Sequence, residues 1–335
     1  MDFISNVSYF WTQLSGLLFS LGSEFSFASL ATALAIATAY YAYKRIAHGR
    51  RVRPRTILRA LFPKHVVASP SSYTDLGYLY FNLFVLSLVI GWGVLTFQTV
   101  TNGIVGGLVR MFGEPGPAPL PDVASRAVVT VVLFLAYELG YWFNHWLSHR
   151  VPVLWEFHKV HHSAEVLTPL TNFRVHPVYT WVFTNILALA TAIASGFTHY
   201  FLGETTKIYV LSDHNVILVF FIYAYVHLQH TNIWISFTGW LGRIFVSPAH
   251  HQIHHSNDPK HFNRNFGSCL ALWDWMFGTL YVPAREREKI SFGVEPDQYP
   301  AHTITGELIA PFIRAYNQIR ARLPQSSPRP KKQTT

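Results

Sequence analysis

Eighteen histidines occur in this 335-residue chain, and fifteen of them lie between His145 and His261. Their spacing carries more meaning than their number. His145 and His149 form H-x-x-x-H, and His158, His161 and His162 form H-x-x-H-H. His251, His254 and His255 repeat H-x-x-H-H further on. Residues three and four apart share one face of a helix, so each motif can aim its imidazoles at a common point. Eight imidazoles from three helical segments can surround two metal ions and still leave coordination positions open. Imidazole suits iron, zinc, copper and nickel alike, so ligand type alone does not name the metal.

The elements that must position these motifs are apolar. Half the residues are hydrophobic, 16% are aromatic and 13% are charged, where a soluble domain usually carries about 25% charged residues. This composition is that of a membrane protein. Five stretches are long enough to be read as spans: Phe25–Tyr43, Leu76–Phe97, Ala127–Leu147, Val178–Tyr200 and Ile208–Leu228. The opening Met1–Glu24 is apolar but broken by Ser and Gly, which suits the membrane interface. Prolines make Glu114–Pro121 a loop.

The formal charge of +9 is unevenly placed. Eight of the 26 basic residues fall between Lys44 and Lys64, directly after an apolar run, as expected of a cytoplasmic loop. The spans then carry all three histidine motifs to the cytoplasmic face, in a bacterial inner membrane or the endoplasmic reticulum. No recognition motif accompanies the charge, which excludes nucleic-acid binding. Cys269, the only cysteine, excludes an internal disulfide and a cysteine-held iron–sulfur cluster. No G-x-G-x-x-G or P-loop is present.

Seven short stretches resemble the fatty acid hydroxylase/sterol desaturase superfamily of membrane di-iron oxygenases, across about Leu133 to Val282. They are ELGYWFNHWLSH (Glu138–His149), WEFHKVHHS (Trp155–Ser163), RVHP (Arg174–Pro177), HTN (His230–Asn232), FVSPAHHQIHHS (Phe245–Ser256), NFG (Asn265–Gly267) and WDWMFGT (Trp273–Thr279). The resemblance implies an all-α, multi-pass membrane bundle with a cytoplasmic helical cap that carries a histidine-rich dimetal site. The resemblance covers a catalytic region within 123–285; hydropathy and charge make 1–122 a membrane region with two spans and the basic loop, and 286–335 a cytoplasmic tail expected to be disordered at its end. The implied ligands are His145, His149, His158, His161, His162, His230, His251, His254 and His255. His227, three residues before His230, is a tenth candidate.

Carried over, the activity is hydroxylation of a lipid C–H bond by O2 at two iron ions, with zinc able to replace iron. Desaturation, a transporter and a histidine-ligated zinc hydrolase are the alternatives. No electron-carrying cofactor is encoded, so an external ferredoxin- or cytochrome-type donor is expected on the basic face. Glu138 stands two helical turns before His145. It is expected either to accept from the N–H of a ligand imidazole or to make an ordinary interhelical hydrogen bond. Asp274 has the same two readings. His176 suits a helix cap ahead of Pro177. Asp213, His214 and Asn215 are polar within the fifth expected span, and His250 and His261 are expected at solvent or an interface.

Overall fold

The computed structural model describes residues 3–117, 119–203, 207–295 and 302–322. Residues 204–206 and the tail 323–335, the latter expected to be disordered at its end, lie outside the described residues. The chain is mostly helical. In order it forms α1 (Phe3–Phe19), α2 (Phe27–Ala47), α3 (Pro54–Leu61), α4 (Lys64–Val67), α5 (Pro70–Phe112), α6 (Asp122–Arg150), α7 (Pro152–His162) and α8 (Pro177–Leu202). A short hairpin of β1 (Val210–Leu211) and β2 (His214–Asn215) precedes α9 (Val216–Phe221), a π turn at Ile222–Val226 and α10 (His227–Gln229). The chain ends in α11 (Leu241–Ile244), α12 (Pro248–His254), α13 (Leu272–Met276) and α14 (Ile304–Arg322).

Local chemistry sets these boundaries. Ser26, Ser69 and Ser247 cap α2, α5 and α12 by accepting from backbone amides inside the first turn. Proline follows the cap at α5, α7, α8 and α12, where its missing N–H costs nothing. Gly113 and Gly203, at φ 83° and 96°, end α5 and α8 in a conformation that disfavours any side chain at β-carbon.

Long helices α5, α6 and α8 pack together. A β-carbon on Gly196 of α8 would lie 2.6 Å from Ile104 Cβ of α5, and one on Gly140 of α6 would lie 3.0 Å from Ala190 Cβ of α8. These glycines let the backbones approach closely, as packing within a membrane requires. Among the described residues, α6 and α8 are long and apolar enough to cross a membrane. Leu189, Ile193, Phe197 and Phe201, four apart on α8, make an exposed apolar ridge.

The fifth expected span is not a continuous helix. Ser212 and Asp213 take positive φ, 49° and 65°, and turn the chain between β1 and β2. Asn215 then caps α9 by accepting from Ile217 N at 3.0 Å. The helical run Val216–Gln229 that remains is about 21 Å long, short of the roughly 30 Å hydrocarbon core. The polar trio Asp213, His214 and Asn215 therefore forms a turn and a cap, and is not embedded in a helix.

Two polar networks hold the histidine-bearing elements. The guanidinium of Arg174, fully buried, pairs with Asp75 at 3.3 Å and with Glu307, and its Nη2 reaches His302 Nδ1 at 3.0 Å. Thr168 and Thr171 donate to the other oxygen of Asp75 at 3.1 and 2.7 Å. This ties α5, the turn before α8 and α14 into one unit. On α7, Glu156 accepts from Arg314 Nε and Gln318 Nε2, both at 2.6 Å, so α14 clamps the helix that carries three histidines.

Candidate metal centre

Nine imidazoles converge from α6, α7, α12 and the segment after α10, in two adjacent groups. The first holds His145, His149, His158, His162 and His254; the second holds His161, His230, His251 and His255. Within each group the ligand atoms all lie within 4.8 Å of one another. The two H-x-x-H-H motifs divide in mirror fashion. On α7 the i,i+4 pair His158 and His162 serves the first group and His161 the second. On α12 the pair His251 and His255 serves the second group and His254 the first. His162 and His255 stack at 4.5 Å where the groups meet.

Hydrogen bonding among these rings cannot account for the geometry. His230 Nε2 stands 3.2 Å from His161 Nε2, 3.1 Å from His255 Nε2 and 2.9 Å from His251 Nε2. A neutral imidazole carries one N–H, so His230 can satisfy at most one of these contacts through Nε2. In the first group, His162 Nε2 is likewise 3.2 Å from His158 Nε2 and 3.1 Å from His254 Nε2. The Nε2 atoms of His145 and His149 are buried without a partner. Cis nitrogens on one metal, each about 2.0–2.1 Å from it, stand about 2.9–3.4 Å apart. The donor set fits two bound cations, one per group.

Electrostatics agree. Burial, reinforced by neighbouring imidazoles, holds His158, His162, His230, His251 and His255 well below their ordinary pKa. Burial pulls His161 down to about 3 and His254 to about 4. These rings are neutral, the form that binds metal.

Two main-chain carbonyls orient the first group. His145 Nδ1 donates to Phe266 O and His254 Nδ1 to Arg264 O, each at 2.9 Å, which turns both Nε2 atoms inward. The loop carrying them is itself fixed. Asn265, at φ 59°, donates to His250 O and Tyr281 O at 3.0 and 2.9 Å, and accepts from Tyr281 N at 2.7 Å. Asp274 accepts from Phe266 N, Gly267 N, Trp142 Nε1 and Thr279 Oγ1 at 2.6–3.1 Å. Glu138 Oε2 accepts from Cys269 N and Leu270 N at 3.0 and 2.8 Å.

Glu138 and Asp274 therefore grip the backbone of one loop, and neither touches an imidazole. His227 lies outside both groups and packs edge-on against Phe25, ring centroids 5.6 Å apart. The expectation of a shared helical face fails because α10 ends at Gln229. His230, at φ −96° and ψ 68°, has already left the helix. His176 caps α8, accepting from Val178 N at 3.1 Å, and reaches Leu308 O with its other nitrogen. His250 and His261, expected at solvent or an interface, are fully buried. His250 closes a capping box with Ser247 and meets Gly242 O at 3.0 Å, while His261 meets Ser256 Oγ at 2.9 Å. The Phe266 and Arg264 carbonyls escape sequence reasoning, because any residue type can supply a carbonyl.

Comparison with known proteins agrees with this geometry. The model of the fatty acid hydroxylase family matches residues 130–279. The chain is 25% identical over 272 residues to an alkylglycerol monooxygenase of Xenopus tropicalis, covering 72% of this chain and 55% of that protein. It is 30% identical over 188 residues to a human alkylglycerol monooxygenase, covering 55% and 35%. An ornithine lipid hydroxylase of Rhizobium tropici is 29% identical over 166 residues, covering 49% and 45%. The chain thus spans about half or less of the length of these relatives. No solved structure matches it. The stretch that matches the fatty acid hydroxylase family thus contains all nine converging histidines.

Proposed function

We propose that this protein is a membrane-bound di-iron oxygenase that hydroxylates a lipid C–H bond with O2 and electrons from an external donor. The observation that carries this reading is the pair of neutral, buried imidazole groups, five and four rings strong. Two iron ions held there would supply the oxygen activation that an unactivated C–H bond requires. The chain's own residues keep nine imidazoles deprotonated, aim the first group through the 264–266 carbonyls and exclude bulk water by burial. Relatives named as alkylglycerol monooxygenases and an ornithine lipid hydroxylase support a lipid substrate with a polar headgroup.

In this reading the bundle is multi-pass, with α6 and α8 as spans and the histidine cap on the cytoplasmic side. Residues 1–122 form a membrane region, 123–285 the catalytic region and 286–335 a cytoplasmic tail. The exposed basic stretch between Lys44 and Lys64 offers the donor, a ferredoxin- or cytochrome-type protein, an oppositely charged dock.

Membranes containing the protein, supplied with a reductase system and labelled oxygen gas, will place one labelled oxygen atom in a lipid. Label arriving from water would instead mean hydrolysis. Loss of two hydrogens without oxygen gain would make the enzyme a desaturase.

A further inference from the structure

Helix α14 has one face engaged and one face bare. On the inner face Ala310, Pro311 and Ala315 are buried, Glu307 pairs with Arg174, and Arg314 and Gln318 hold Glu156 of α7. Ile309, Phe312, Tyr316 and Ile319 lie on the opposite side, within about 80° of one another around the helix axis. Each is between 49% and 62% exposed. An apolar stripe on a helix whose other face is polar and bonded is the pattern of a helix lying in a membrane interface.

The position of α14 agrees with that pattern. Thr74 Oγ1, in the second turn of α5, donates to His302 O at 2.8 Å, and Gly77 leaves room for the Ile304 side chain. His176, the cap of α8, meets Leu308 O at 3.1 Å, and its ring stands 5.2 Å from that of Phe312. The helix therefore runs beside the starting ends of α5 and α8, and α8 is long and apolar enough to cross a bilayer. Tyr73 and Tyr80 on α5 and Trp181 on α8 are exposed at those ends, the aromatic types that sit at headgroup level. Trp181 heads the same four-residue row that holds Leu189, Ile193, Phe197 and Phe201 on α8.

Charge and area favour a lipid surface over a protein as the occupant. From Leu308 to Thr335 the sequence carries six basic residues and no acidic one. Arg320 and Arg322 are exposed at the end of α14. Four side chains at about half exposure offer on the order of 500 Å2, short of the roughly 800 Å2 per partner of a stable protein interface. The segment 324–335 has no apolar side chain except proline, so it is a poor cover for the stripe.

We propose that α14 is an interfacial helix. Its stripe from Ile309 to Ile319 sinks into the surface of the leaflet at which α8 begins, and Arg320 and Arg322 meet the phosphates of acidic phospholipids there. The proposal rests on the reading of α6 and α8 as membrane spans and is independent of the chemistry at the histidines. The helix that clamps α7 is thereby tied to the bilayer surface as well as to the bundle.

The test uses the full chain in vesicles of phosphatidylcholine with or without phosphatidylglycerol. Cys269 is fully buried, so a thiol-reactive fluorophore will mark an added cysteine. Tyr316→Cys and Ile319→Cys report on the stripe, and Ile193→Cys on the middle of α8. Nitroxide placed near the lipid headgroup should quench positions 316 and 319 about twofold more than nitroxide near the acyl end, as shallow burial requires. Position 193 should show the reverse order. Arg320→Glu combined with Arg322→Glu should lower quenching at 319 by about twofold or more with phosphatidylglycerol present, and little without it. An unchanged signal overturns the phosphate contact. Labels at 316 and 319 that respond to aqueous iodide and to neither nitroxide overturn the docking of α14. Quenching at 193 in that case leaves the spans standing, and its absence removes the membrane reading as well. Energy transfer between labels at 316 on separate copies, without lipid quenching, overturns the proposal in favour of a contact between chains.

Discussion

Asp274 controls His145 through the main chain of a single residue. Its Oδ1 accepts from Phe266 N at 2.9 Å, and Phe266 O accepts from His145 Nδ1 at 2.9 Å. The neighbouring Arg264 carbonyl does the same for His254. Both histidines belong to the first group. Asp274→Asn turns an acceptor into a donor facing amides that also donate. It should weaken metal at the first group while sparing the second, and lower activity by about 10–100-fold. Metal titration of the variant checks this; equal weakening of both ions would contradict the coupling.

The mirror division of the two H-x-x-H-H motifs makes a paired prediction. His254→Ala should empty the first group and His161→Ala the second, each lowering metal content from about two ions per chain to about one. Elemental analysis of purified protein reads the result. Retention of both ions with full activity in the two variants would refute the assignment of the groups.

Acid should unfold the metal-free protein early. Unfolded imidazoles take up a proton near their ordinary value of 6.5, whereas the folded His254 and His161 wait until about 4 and 3. The unfolded state therefore binds more protons once pH falls below 6.5, and stability is lost from there down through pH 4 towards pH 3. Melting temperatures of metal-free protein at successive pH values should stay level above 6.5 and drop steeply below it. Bound metal should shift that drop to lower pH, because it occupies the same lone pairs.

Arg174→Met should be among the most damaging single changes outside the histidines. It strips the only guanidinium from a fully buried site and strands Asp75 and Glu307. Breaking a buried ion pair from one side costs about 3–5 kcal/mol. Thermal unfolding of the variant measures the loss, and a shift of only a degree or two would show the network to be dispensable.

Much of the convergence of histidines was legible in the sequence because its information lies in side-chain type and helical spacing. His158, His161 and His162 can be placed on one helix without knowing what faces them. His227 defeated the same rule, since spacing predicts a shared face only while the backbone stays helical, and it leaves the helix at His230. The expected span at Ile208–Leu228 was misread for a related reason. Hydropathy averages over Ser212 and Asp213, while two positive φ angles there decide the path. Glu138 and Asp274 were recognisable as carboxylates in apolar surroundings, but the backbone amides of 266, 267, 269 and 270 that they hold are marked by no residue pattern.

The clamp between α14 and α7, and the pairing of Arg174 with Glu307, impose an order on biosynthesis. His145 through His255 emerge from the ribosome well before Glu307 and Arg314 are translated. Until the last helix arrives, Arg174 has only Asp75 for a counter-charge and Glu156 lacks both its α14 partners. The segment that presents three of the nine imidazoles is thus secured only after α14 has been synthesised. If the two groups hold metal as proposed, loading should follow the arrival of α14, and a chain truncated before residue 302 should keep all nine converging histidines and still fail to retain its ions.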